Sequence, residues 1–239
     1  MVSKEDYLSG QVLLIDKPLH WTSFQVVNKL RWEIRQNFNI KKIKVGHAGT
    51  LDPLATGLLV LCTGKMTKQI DTFQAQVKEY TGTIVLGATT PSFDLETEIN
   101  ETFPIKHITD DLIFKTTSQF LGDIQQFPPI FSAIKKDGKR LYEFARAGET
   151  VEVKPRIVTI SEFEITNINH ISSTPNTNTI NITFRVVCSK GTYIRSLAND
   201  FGKAMNSGAH LSALRRTKIG HFNVENAVTV EEFISRLKN

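Results

Sequence analysis

Twelve consecutive residues, Gly46-His47-Ala48-Gly49-Thr50-Leu51-Asp52-Pro53-Leu54-Ala55-Thr56-Gly57, set one carboxylate among three glycines, a proline and small side chains, and lead directly into the apolar run Leu58 to Cys62. Glycine opens backbone angles closed to other residues and lets a ligand approach the chain closely. Pro53 fixes its own φ and confines Asp52 to extended geometry. The segment therefore reads as a constrained loop that holds the Asp52 carboxylate in a defined place and feeds a strand. An Asp-Pro pair by itself is commonly an Asx-turn, in which the side chain bonds its own backbone. The length of the surrounding string is what sets this one apart.

A chain of 239 residues with 40% hydrophobic and 22% charged residues has the makings of an ordinary globular protein with a sizeable core. Met1 to Gln11 carries Lys4, Glu5 and Asp6 without a long apolar run, unlike a secretory leader, and no apolar stretch reaches the length of a membrane span. The expected compartment is the cytoplasm. Cys62 and Cys188 lie in apolar, strand-like runs without metal-ligand spacing, so buried thiols are expected and a metal site is not. The net charge of +5 favours an acidic partner. Three basic knots, Lys41-Lys42-Ile43-Lys44, Lys135 to Arg140 and Arg215-Arg216-Thr217-Lys218, would neutralise several phosphates if they shared one surface.

Periodicity predicts a short strand over Gln11 to Ile15 and a helix from about Ser23 to Phe38, capped by Thr22 or Ser23, with Phe24, Val27, Leu30, Arg31 and Ile34 at helical spacing. Further helices are expected over Lys65 to Gln76, Thr109 to Phe120, Leu141 to Ala147, Ile194 to Met205 and Val230 to Leu237. Strands are expected over Leu58 to Cys62, Val77 to Leu86, Val158 to Ile168 and Ile180 to Cys188. Phe127-Pro128-Pro129 breaks regular structure, and Asn169 to Asn178, rich in Ser, Thr and Asn, reads as a long polar hairpin loop. The result is one α+β domain over 1–239, a mixed, mainly antiparallel sheet flanked by helices and loops.

The twelve-residue string resembles the signature loop of the TruB-type pseudouridine synthases. Other segments match that family in the same order: Asp16-Lys17-Pro18 with Trp21-Thr22-Ser23, Lys78-Glu79-Tyr80, the stretch Gly122 to Gly148, Lys190 to Leu197, and Gly208 to Gly220. The resemblance runs from about Gln11 to Phe233 and implies the pseudouridine synthase fold. Two loops depart from the pattern. His20 stands where the family usually has glycine, and Thr90 to Asp94 replaces a more acidic run. The chain ends soon after Leu237, so the C-terminal RNA-binding PUA domain of many relatives is not expected.

The resemblance implies isomerisation of uridine to pseudouridine at position 55 in the T loop of tRNA. The N1 to C1′ bond breaks, the uracil turns, and C5 bonds to C1′. The reaction is redox-neutral and calls for no cofactor and no metal. It needs a group that stabilises a transient covalent or ionic intermediate, and a carboxylate, ionised in neutral water, suits it. By resemblance Asp52 is the catalytic nucleophile and Arg195 its partner in a pocket closed to water. Tyr80 stacks on the uracil, Tyr193 is the second pocket tyrosine, and the backbone of Leu214 contacts the uracil edge. His47 fills the space left by the extruded nucleotide, and Lys17 and Lys65 serve as phosphate or structural contacts. The expected partner is the tRNA T stem-loop, with no membrane and no obligatory protein partner. Two rival readings are a guide-RNA-directed synthase of the box H/ACA type and an RNA chaperone that refolds the tRNA elbow.

Overall fold

The computed structural model describes residues 2–149, 151–172 and 178–238. Its elements in chain order begin with α1 (Lys4–Ser9), β1 (Val12–Lys17), α2 (Ser23–Asn37), β2 (Val45–His47), β3 (Ala55–Thr63), a 3₁₀ turn (Gly64–Gln69), α3 (Ile70–Ala75) and β4 (Lys78–Leu86). There follow β5 (Ala88–Thr89), β6 (Glu101–Thr102), α4 (Asp110–Thr117), β7 (Gly122–Gln126), β8 (Lys135–Lys136), β9 (Lys139–Arg140) and α5 (Leu141–Arg146). The last are β10 (Arg156–Ser172), β11 (Asn178–Cys188), α6 (Ile194–Ala204), β12 (Ala209–Ile219), β13 (Phe222–Asn223), β14 (Val228–Thr229) and α7 (Val230–Lys238). The chain clusters into two compact units, residues 1–81 with 214–239 and residues 82–213, and passes between them within β4 and β12.

In the first unit the strand order is β14-β1-β3-β12-β4, with β2 also on β3 and β13 on β12. β1 is antiparallel to β3, whereas β12 runs parallel to β3, which makes the sheet mixed. Successive side chains of a strand point to opposite faces. Thus Leu59 and Leu61 of β3 join Val26, Leu30 and Ile34 of α2 and Phe233 of α7 in one core, while Leu58 and Val60 pack with Ala48 and Ile219 in another. β3 is therefore buried on both faces, as its unbroken apolar sequence requires. In the second unit the order is β12-β4-β11-β10-β7. Its core is a cluster of edge-to-face aromatic rings, with Phe163 against Phe120, Phe184 and Phe201.

The α+β class and the mainly antiparallel pairing are as expected, and four local readings change. The helix expected over Lys65 to Gln76 is two pieces, because Gly64 enters at φ 51° and the Thr67 hydroxyl bonds the Gly64 carbonyl at 2.8 Å, tightening the first turn to 3₁₀ geometry. Of the loop expected over Asn169 to Asn178, the described residues 169–172 and 178 are strand. Antiparallel pairing continues from Asn169↔Asn181 to Ser172↔Asn178, and 173–177 lie outside the described residues. The polar residues Asn169, Ser172 and Asn178 belong to a two-stranded ribbon. In α2, Phe24 points outward at 63% exposure, and Val26 takes the inward place. Finally, one of the three cations of the third basic knot, Arg216, is buried rather than turned to a surface.

The Cys62 thiol is free and buried, and burial pushes its pKa up to about 11; Cys188 is buried as well. No helix among the described residues is long and apolar enough to cross a membrane.

Candidate active site

The signature loop leaves β2 at His47 and enters β3 at Ala55. Its entry is fixed by the Ala48 N–H donating to the Val60 carbonyl at 2.9 Å. Its centre is held by the start of α2. The Ser23 hydroxyl accepts from the Leu51 N–H at 2.8 Å and donates to the Leu51 carbonyl at 3.1 Å, in a buried setting. The capping box of Thr22 with Gln25 secures that helix end. On the other side of Asp52, the Pro53 carbonyl accepts from the His20 N–H at 2.8 Å, and the Asp52 carbonyl accepts from the Ala55 N–H at 3.0 Å. The aspartate is thus bracketed by backbone bonds on both flanks.

From beneath, the loop rests on Arg216, which is 1% exposed. Its guanidinium donates to the carbonyls of Leu58 at 2.8 Å, Gly49 at 3.0 Å and Thr50 at 3.4 Å. A buried cation is costly unless its donors are satisfied, and here the loop's own carbonyls satisfy them. Parallel pairing sets this register, with Leu214 beside Ala55, Arg215 beside Thr56 and Arg216 beside Gly57. Arg215 forks onto Asp16 at 2.6 and 3.0 Å, and Lys218 pairs with Glu79 at 3.3 Å. Of the three cations in this knot only Arg216 is buried; Arg215 and Lys218 keep 41% and 46% of their side chains exposed while paired with carboxylates.

Next to Asp52 lies Lys17, fully buried, with its amine donating to the carbonyls of Trp21 at 2.6 Å and Pro18 at 2.8 Å. Burial pushes its pKa down to about 8; the Asp52 charge works in the opposite direction, and the Arg216 charge adds to the fall. Of the phosphate and structural roles expected for Lys17, its full burial fits the structural one. His47 is partly buried, and burial together with Arg216 lowers its pKa, with the Gly49 backbone opposing. Its Nδ1 is buried without a hydrogen-bond partner among the described residues.

Tyr80 and Leu214 stand on the neighbouring strands β4 and β12 of the same unit. Tyr80 is buried, and the preceding Glu79 accepts from the Thr217 hydroxyl at 2.7 Å. The Leu214 carbonyl lies 3.5 Å from the Thr56 hydroxyl. The first unit therefore gathers His47, Asp52 and Leu214 around one loop, with Tyr80 one strand beyond Leu214.

Tyr193 and Arg195 belong to the second unit. The side-chain amide of Gln126, itself fully buried, accepts from the Tyr193 N–H at 2.8 Å and donates to the Tyr193 carbonyl at 3.0 Å. The Arg156 guanidinium lies 4.6 Å from the Tyr193 ring centre. Arg195, 3% exposed, donates to the carbonyls of Ser92 and Phe131, both at 3.0 Å, and its Nε faces Asp94 at 3.5 Å. Asp94 sits in the loop where the sequence leaves the family pattern. Its carboxylate also accepts from the Glu96 N–H at 3.0 Å.

Sequence reasoning missed Ser23 as an anchor of the loop, Arg216 as its support and Asp94 as a partner of Arg195. The burial of Arg216 depends on register across distant strands, and that of Ser23 on a loop 28 residues later, neither of which periodicity reports. Among the described residues no three His, Cys, Asp or Glu side chains are placed to hold a metal ion.

The model of the TruB family pseudouridylate synthase N-terminal domain matches residues 35–194, and that of the tRNA pseudouridylate synthase B C-terminal domain matches 195–238. A protein named tRNA pseudouridine synthase B from Flavobacterium johnsoniae is 63% identical over 99% of this chain and all of its own length. One of the same name from Phocaeicola vulgatus is 54% identical over 95% of this chain and 93% of its own. Among solved structures, a chain of a Cbf5-Nop10-Gar1 complex superposes with a TM-score of 0.67 at 28% identity over 98% of this chain, which spans 56% of that one. A chain of an H/ACA RNP bound to a substrate RNA gives 0.65 at 26% identity over 96% of this chain and 53% of its own. Matched by family models over residues 35–238, and by a relative over its full length, the chain belongs to the TruB family of pseudouridylate synthases.

Proposed function

We propose that this chain is a stand-alone cytoplasmic tRNA pseudouridine synthase that isomerises the T-loop uridine at position 55, with Asp52 as nucleophile. The observation that carries the reading is Asp52 itself, held on a loop bonded on both flanks and supported from below by Arg216. A nucleophile fixed in this way loses little freedom when the substrate arrives. The N1 to C1′ bond breaks, C5 bonds to C1′, the C5 proton leaves and N1 gains one, so atoms and electrons balance without a cofactor.

The uridine leaves its stack at a cost of a few kcal/mol, which an aromatic contact worth roughly 1–3 kcal/mol per base offsets. Tyr80 is that contact, the Leu214 backbone reads the uracil edge, and His47 fills the vacated space. The resemblance assigns Tyr193 to the uracil pocket and Arg195 to the counter-charge of Asp52. A T loop suits such an enzyme, since unstacked loop bases can be splayed out and read.

Full-length identity to proteins named for tRNA favours this reading over the guide-directed one, whose likeness is to chains nearly twice as long. The test is tritium release from C5-labelled uridine in an unguided T-arm hairpin, for the natural chain and for Asp52→Asn. Release by the natural chain alone, with hairpin affinity retained by the variant, is expected. Release by neither protein would move the assignment to a guided enzyme or a chaperone, and release by both would remove Asp52 as nucleophile.

A further inference from the structure

Six basic residues and a single acid, Glu33, lie between Pro18 and Val45, an excess equal to the +5 of the entire chain. The rest of the sequence is therefore balanced, and the charge that favours a polyanion is carried by α2 and the segment after it. Glu33 is already neutralised, by Lys29 at 2.9 Å and Lys238 at 3.9 Å. Lys41, Lys42 and Lys44 are exposed and make no ion pair among the described residues.

Each helical residue turns about 100°, so Phe24, Trp32 and Arg35 fall on the face of α2 opposite buried Val26, Leu30 and Ile34. Phe24 is 63% and Trp32 53% exposed, and the Lys29 ammonium stands 5.4 Å from the Trp32 ring centre. Two large outward aromatics on one face, one of them beside a cation, in a segment whose single carboxylate is already paired, fit a nucleic-acid backbone with accessible bases better than an apolar partner. The N-terminus of this helix is bonded to the signature loop through Ser23 and Leu51. Its 15 residues span about 22 Å, so the face starts beside that loop at Phe24 and its far end, which leads on to the three lysines, lies roughly 20 Å away.

We propose that the outer face of α2, with Lys41, Lys42 and Lys44, is a second RNA-docking surface that takes the phosphate backbone of the substrate about 20 Å from the uridine being modified. The proposal rests on the tRNA synthase reading and extends it to RNA outside the T arm. A hairpin with a stem of about five base pairs, roughly 17 Å at ~3.4 Å per step, does not span that distance.

The test compares the natural chain with a variant carrying Lys41→Gln, Lys42→Gln and Lys44→Gln, on whole tRNA and on the hairpin. For whole tRNA the slope of log affinity against log salt is expected to fall by about two, since each phosphate contact contributes roughly 0.7–0.9. KM should rise about tenfold, with kcat and all hairpin parameters unchanged. Trp32→Ala should weaken tRNA binding without changing the slope, as stacking does not release ions. An unchanged slope and KM in the triple variant, or equal losses on tRNA and hairpin, would overturn the proposal. Filter binding reads the slope without turnover, so failure of the synthase assignment would be seen separately, as absent tritium release from either RNA.

Discussion

The hydroxyl of Ser23 closes on both backbone polar groups of Leu51, the residue before Asp52, and so ties the first turn of a helix to the loop that carries the carboxylate. Both bonds are buried, and removal of one partner from a buried pair costs more than the bond itself contributes, about 1–3 kcal/mol. Ser23→Ala is expected to lower unfolding free energy by that amount in urea titrations. It should also reduce kcat more than it raises KM, because the loop rather than the RNA contact is loosened.

Gly57 adopts φ 100°, and a Cβ placed there would lie 2.3 Å from the Arg216 carbonyl oxygen. Gly57→Ala should therefore cost more than the roughly 1–3 kcal/mol of backbone strain alone. Gly122→Ala is the comparison: φ is 82° there, but no atom lies within 4 Å of the added carbon, so strain is the whole cost. Equal losses in the two variants, measured by urea unfolding, would show that the contact with Arg216 carries no weight.

At His20 the chain adopts φ 65°, the left-handed region that favours glycine, and this accounts for glycine as the usual family residue there. A side chain in that region costs about 1–2 kcal/mol, part of which glycine would return to the unfolded chain as entropy. His20→Gly is expected to leave stability unchanged or raise it by under about 1 kcal/mol. His20→Val, branched at Cβ, should destabilise by about 1 kcal/mol or more. Thermal and urea unfolding of the pair decide it.

Lys17 has a folded pKa near 8 against an ordinary value of 10.5. Between these values the unfolded chain keeps the proton and the folded chain does not, so this group's contribution to stability rises with pH across that window. Lys17→Met should remove the rise when the two proteins are unfolded in urea at neutral and at mildly alkaline pH. The ammonium that Asp52 supports is present below about pH 8 and lost above it. Turnover should accordingly decline through that pH in the natural chain and lack that limb in the variant.

Much of the architecture was legible because it depends on local pattern. Thr22 capping α2, the break at Phe127-Pro128-Pro129 and the apolar run of β3 each follow from a few adjacent residues. The loop around Asp52 was legible for the same reason. What escaped is set by residues far apart in the chain. Arg216 looked like one more surface cation because its three acceptors lie 158 to 167 residues earlier. Phe24 looked like core because helical spacing gives a stripe but not its edges, and the sheet beneath α2 takes Val26 instead. Asn169 to Ser172 looked like a turn because polar side chains on a two-stranded ribbon resemble loop composition.

The placement of Arg216 has a consequence for how the molecule breathes. A guanidinium enclosed by backbone oxygens cannot be released piecemeal, since any local opening that frees Gly49 or Thr50 strands a cation in an apolar interior. Fluctuations that lift the loop alone are thus suppressed, and the segment is drawn into the same cooperative unit as β3. In hydrogen-exchange terms, the amides of Ala48 and Leu51, both hydrogen-bonded, are expected to exchange with the strand amides of β3 rather than with those of a loop, although they lie in a stretch of sequence that has the composition of one.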